Sequence, residues 1–217
     1  MPIKLVLLDF DGTLCDTAPD IIRTTNMFLK KHGHAELPEA QIRGEIGYGL
    51  KSIMHAIFPE ALLNPSIVND IEREFLALYD QEYLVSPTLF PGAREFLQSY
   101  KGKVGILSNK KSKYIVELLK VLNLDKFPWS SVTGGDTYPE MKPHARPFLE
   151  AMKKAGTDNA STVMVGDGEP DIEGANASGI RSIAVSFGYC PLDHLVHLGA
   201  TTTMNSFWEL EGVLRKL

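Results

Sequence analysis

With 217 residues, 44% hydrophobic and 23% charged, the chain has the size and composition of a globular protein with one substantial core and room for a small accessory domain. A net charge of −5 lacks the basic footprint of a nucleic-acid binder, and no apolar run approaches the roughly 20 residues of a membrane span. The N-terminus enters an apolar stretch without the features of a secretion signal, and Cys15 and Cys190 lie far apart in no metal or redox spacing. Free thiols without a signal point to a reducing, bacterial-type cytoplasm.

In chain order, the first element is an apolar strand over Ile3–Leu8 that runs into Asp9-Phe10-Asp11-Gly12-Thr13-Leu14. Strand alternation sends Asp9 and Asp11 to one side and Phe10 to the other, and Gly12 permits a sharp turn. Two carboxylates this close repel unless a cation lies between them or one keeps its proton. The spacing suits a divalent cation plus a nucleophile with a neighbouring acid/base.

From about Asp16 to Ser86 no convincing strand occurs, and helical spacing dominates over Ile21–Lys31 and Ile67–Tyr83. Gly44, Gly47 and Gly49 punctuate the segment, and Pro87 and Pro91 bracket its end. It reads as a helical insert covering the end of the first strand. Within it Arg43, Tyr48 and Lys51 offer donors for a leaving group. The plainer reading of that stretch is a helix–helix connection with solvated charges.

A strand over Val104–Leu107 then ends in Ser108-Asn109, followed by an amphipathic stripe of Tyr114, Ile115, Leu118, Leu119 and Leu122. The dense lysine group Lys101, Lys103, Lys110, Lys111 and Lys113 reads as a solvated helix start. Lys142 precedes Pro143, which biases it toward extended backbone. Further strands over Thr162–Val165, leading to Gly166-Asp167 and Asp171, and over Ser182–Val185 complete the pattern. Continuous apolar strands alternating with helices imply a parallel sheet covered on both faces, with ligands bound beyond the strands' carboxyl ends. Asp9, Ser108 and Asp167 all fall at such ends. Trp129 and Trp208 read as packing residues, and His194 and His197 lie three apart with no third ligand nearby.

The segments Asp9–Leu14, Ile106-Leu107-Ser108-Asn109, Lys142-Pro143 and Val165-Gly166-Asp167 with Asp171 resemble, in order, the four motifs of the haloacid dehalogenase superfamily. The similarity is greatest to its phosphoglycolate-phosphatase-like branch. The resemblance implies an α/β fold: a Rossmann-like parallel-sheet core of residues 1–15 and 87–217, with helices on both faces, and a small all-helical cap of residues 16–86. It implies a Mg²⁺-dependent phosphatase that hydrolyses a small phosphorylated metabolite, phosphoglycolate-like, through an aspartyl-phosphate, as a monomer or homodimer. By the same resemblance Asp9 is nucleophile and metal ligand. Asp11 is the acid/base, with its carbonyl a further ligand. Ser108 and Asn109 bind the phosphoryl group, and Lys142 neutralises it.

Asp167 is implied as a direct Mg²⁺ ligand, and Asp171 acts through water or by orienting Lys142. Arg43 and Lys51 in the cap loop are the expected leaving-group contacts. The chain departs from the family where Ala145 and Arg146 stand in place of a common second proline, and where Gly168 stands in place of Ser or Thr. Alternatives on the same scaffold are a β-phosphoglucomutase-like phosphosugar mutase and a nucleotidase or pyrophosphatase. A dehalogenase is disfavoured because its chemistry needs neither the acid/base at Asp11 nor a Mg²⁺ site. Retention of Asp9, Asp11, Lys142 and Asp167 disfavours an inactive binding protein.

Overall fold

The computed structural model describes residues 2–57 and 65–217. The apolar run Leu-Val-Leu-Leu forms β1 (Leu5–Leu8), buried on both faces as expected of a central parallel strand. It pairs in parallel with β4 (Lys103–Leu107) on one side and β6 (Thr162–Gly166) on the other. With β5 (Val132–Thr133), β7 (Arg181–Val185) and β8 (Thr202–Met204) these make one parallel sheet ordered β5-β4-β1-β6-β7-β8.

Side-chain alternation divides the core into two layers. Val6, Leu8, Val104, Ile106, Val163 and Val165 pack to one face, together with the helices α5 (Ala93–Ser99), α6 (Ser112–Val121) and α10 (Phe207–Leu214). Leu5, Leu7 and Met164 pack to the other, against α7 (Ala145–Ala155) and α8 (Glu169–Ala177). The stripe of Tyr114, Ile115, Leu118 and Leu119 is the buried side of α6, as its spacing requires. A last helix, α9 (Leu192–His197), covers the β7 side through Leu195.

Two strands of this sheet escaped the sequence reading. β5 has only two residues and β8 is Thr-Thr-Met, so neither presents an apolar run. Both are sheet edges, where burial on two faces is not demanded.

A short antiparallel ribbon, β2 (Cys15–Asp16) with β3 (Thr88–Leu89), marks where the chain leaves the core and returns. Between them lie α1 (Ala18–Lys31), α2 (Glu39–Gly44), α3 (Leu50–Ile57) and α4 (Pro65–Glu82). Helices α1 and α4 pack through Phe28 and Phe75, whose rings meet edge-on at 5.7 Å. Arg23 clamps the base of this unit, donating to Asp20 at 2.9 Å and Glu82 at 2.8 Å, and Asp20 accepts the Ser86 amide at 3.0 Å.

The β1 register aligns the strand ends. Leu8 lies opposite both Ile106 and Val165, so Asp9, Ser108 and Asp167 emerge together at one edge of the sheet. Phe148 of α7 is fully buried in the second layer against Gly174 of α8, where an added Cβ would fall 2.4 Å from the Phe148 ring. Phe148→Ala is therefore expected to cost about 3–5 kcal/mol in denaturant unfolding, and a loss below about 1 kcal/mol would contradict this packing.

Candidate active site

The turn after β1 is tight because Gly12 adopts a φ of 82° and returns its amide to the Cys15 carbonyl at 3.0 Å. A Cβ on Gly12 would lie 2.1 Å from Asp167 Oδ2, so only glycine lets the two strand-end loops approach this closely. Asp9, Asp167 and Asp171 are all buried, and their carboxylate oxygens come within 4.8 Å of one another.

Lys142 is the charge that meets this cluster. Its Nζ lies 2.8 Å from Asp9 Oδ1 and 2.6 Å from Asp171 Oδ1. Burial alone would lower the Lys142 pKa, but Asp171 and Asp9 outweigh it and hold the ammonium well above its ordinary range. One ammonium does not balance three carboxylates. Burial and the neighbouring Asp171 push Asp9 up to about 7 despite Lys142, and burial, Asp9 and Asp171 raise Asp167 well above the carboxylate range.

The donor set fits a hard divalent cation. Asp9 Oδ1 is buried and, despite its charge contact with Lys142, accepts no aligned hydrogen bond. Asp167 is oriented by Thr13 Oγ1 at 2.7 Å and the Tyr189 amide at 2.9 Å, one donor to each oxygen, which leaves lone pairs for a metal. Both Asp171 oxygens are engaged, one by Lys142 and the other by the Gly168 amide at 3.0 Å. That amide serves directly where Gly168 has no hydroxyl to offer. Asp171 is thereby fitted to orienting Lys142 more than to ligating metal directly.

Asp11 has separate partners. It accepts from Thr17 Oγ1 and pairs with Lys110, whose Nζ is 3.0 Å from Oδ1 and also donates to Tyr79 of α4 at 2.9 Å. Lys110 corrects the expectation of a solvated lysine group. It is only 9% exposed; burial alone would lower its pKa, but Asp11 and Tyr79 together outweigh burial and raise it. Lys111 pairs with Glu72 at 2.8 Å and Lys113 with Asp80 at 2.8 Å, so this group joins the core to α4. Sequence offered no signal for this, because the acidic partners lie some thirty or more positions away.

A cavity of about 310 Å³ opens above Asp9 and Asp11 and is also lined by Ser108 and Asn109. Asn109 donates to the Gly47 carbonyl and to the Lys142 carbonyl, each at 3.0 Å. Gly47, with a φ of 117°, and Gly49 bring the loop between α2 and α3 to the cavity edge. Arg43 is not brought there. Its guanidinium is taken up by Glu39, lies 3.9 Å from Asp16 and covers the Tyr189 ring at 5.1 Å. Tyr48 donates to Glu169 of α8, and Glu169 lies 2.7 Å from His194 Nε2. The side chain of Lys51 lies outside the described residues.

The sequence reading also passed over Thr13, Thr17 and Tyr189. The Tyr189 hydroxyl accepts the Thr17 and Ala18 amides at 3.0 and 3.1 Å and donates to Asp16 at 2.8 Å, fastening the start of α1 to the core.

Lys142→Met leaves the carboxylate cluster without its ammonium. In chelator at about pH 8 it is expected to cost about 3–5 kcal/mol of unfolding free energy. The loss should shrink toward pH 5, because carboxyls with raised folded-state pKa values take up protons there and shed charge. A pH-independent loss would contradict the charge argument.

Comparison with known proteins agrees with this geometry. The profile of the haloacid dehalogenase-like hydrolases matches residues 6–185. A phosphoglycolate phosphatase from Nitrosospira multiformis is 30% identical over 100% of this chain and 97% of its own. One from Chromobacterium violaceum is 33% identical over 98% and 97%. A haloacid dehalogenase-like family hydrolase from Streptococcus pneumoniae superposes with a TM-score of 0.85 at 21% identity, covering 97% of this chain and 98% of that one.

Proposed function

The chain belongs to the haloacid dehalogenase-like hydrolase family, and from that premise we propose that it is a Mg²⁺-dependent phosphatase of small phosphate monoesters working through an aspartyl-phosphate. The observation that carries this reading is the division of labour between the paired aspartates. Asp9 belongs to the buried cluster with Lys142, Asp167 and Asp171, and Asp11 stands apart with Thr17 and Lys110 at the same cavity floor. Phosphate ester hydrolysis is among the slowest uncatalysed reactions, so positioning and charge neutralisation must supply most of the acceleration.

Asp9, Asp167 and the Asp11 carbonyl would hold Mg²⁺, which when bound supplies positive charge to the phosphoryl oxygens and keeps Asp9 ionised. An Asp9 carboxylate oxygen attacks phosphorus as the bond to the leaving oxygen breaks, and Asp11 gives its proton to that oxygen. Asp11 then takes a proton from water, the water oxygen attacks phosphorus, and the bond to Asp9 breaks to release inorganic phosphate. Lys142 holds positive charge beside Asp9 throughout, and the Ser108 hydroxyl and the Asn109 backbone N–H contribute donors to the phosphoryl oxygens. Residues 16–86 serve as a cap over a core of residues 1–15 and 87–217, a reading supported by the ribbon through which the helices leave and return.

Asp9→Asn should lower turnover by several powers of ten with the fold intact by circular dichroism. Asp11→Asn should cost about 10²–10⁴-fold on alkyl phosphates and much less on p-nitrophenyl phosphate, whose leaving group needs no proton. Near-wild-type turnover by the Asp9 variant would sink the covalent route. Equal loss across leaving groups would remove Asp11 from acid catalysis.

A further inference from the structure

The cavity has two unlike halves. Its floor is the polar set at the strand ends, and its roof comes from the inserted segment: Ile21, Ile53, Phe75 and Leu76 on its helices and Ile46 in the turn between α2 and α3. The phosphoryl group belongs to the floor, so the roof meets whatever the phosphate is attached to. At about 310 Å³ the space falls in the range of pockets that enclose drug-sized ligands, more than a phosphoryl group on a very short acid fills.

Charge points the same way. Two lysines line the cavity among the described residues. Lys110 is engaged by Asp11 and Tyr79, and Lys111 by Glu72. Glu72 and Asp136 also line this space, the first paired with Lys111 and the second accepting from Ser112. A leaving group bearing its own carboxylate would meet these anions and displace an existing ion pair, at a desolvation cost the apolar roof does not offset. An uncharged hydrocarbon body would bury itself against the roof residues.

Building on the phosphatase reading, we propose that the substrate is a phosphate monoester of an uncharged alcohol with an apolar body, seated between α1, α3 and α4. The test is kcat/KM with Mg²⁺ for a series from methyl to hexyl phosphate, beside phosphoglycolate and glucose 6-phosphate. Leaving-group basicity barely changes along the alkyl series, so its slope reads burial and not bond chemistry. The expected slope is about two- to fourfold per added methylene, with hexyl phosphate at least about tenfold better than phosphoglycolate. Leu76→Ser should flatten the slope.

A flat or falling series, or a preference for phosphoglycolate or glucose 6-phosphate, would overturn the apolar substrate class and leave the phosphatase reading standing. A wild-type slope in Leu76→Ser would overturn the assignment of the roof. No turnover of any ester by the folded, Mg²⁺-supplied protein would overturn both readings.

Discussion

The structure is organised around an electrostatic constraint: three buried carboxylates meet where the sheet ends. Asp9, Asp167 and Asp171 arrive from the turn after β1, the loop after β6 and the first turn of α8, brought together by a parallel register that sets Leu8 opposite Val165. Such a cluster is costly in a protein interior unless positive charge compensates it. Lys142 supplies one charge and is itself aimed by Asp171. The remaining deficit appears as raised pKa values on Asp9 and Asp167. A divalent cation answers both shifts at once.

The second organising feature is the separation of floor from roof. The sheet can deliver only what lies at its strand ends, which here are small polar and acidic groups suited to phosphorus. The inserted helices deliver side chains of a different kind, and they are tied to the core by Tyr189 at the start of α1, by Lys110, Lys111 and Lys113 on α4, and by Tyr48 on α8. On the proposed function, chemistry and selection therefore rest on different parts of the chain. Catalytic positions tolerate little change, whereas the roof can alter shape without disturbing the phosphoryl site.

Sequence revealed most where burial on two faces forces a continuous apolar run. The strands β1, β4, β6 and β7 announce themselves in this way, and the acidic and hydroxyl residues just beyond them mark the site. The edge strands β5 and β8 carry no such pressure and read as loops. The roles of Lys110 and Tyr189 were invisible for another reason. Each acts through partners remote in sequence, and a lysine before a helix looks the same whether it faces water or Asp11. Arg43 shows the converse: a cation at the end of α2, beside a glycine-rich loop, that Glu39 and Tyr189 claim locally, away from the cavity.

If the Asp9 cluster is built to take a divalent cation, it must shed protons to do so. Calorimetric titration of the metal-free protein with Mg²⁺, repeated in buffers of different ionisation enthalpy, measures both quantities directly. Because Asp9 is held up to about 7 without metal, affinity should rise with pH through that value and then level off. Proton release should be clear near pH 6. Binding of equal strength across this range with no proton release, or no binding at all, would contradict the account.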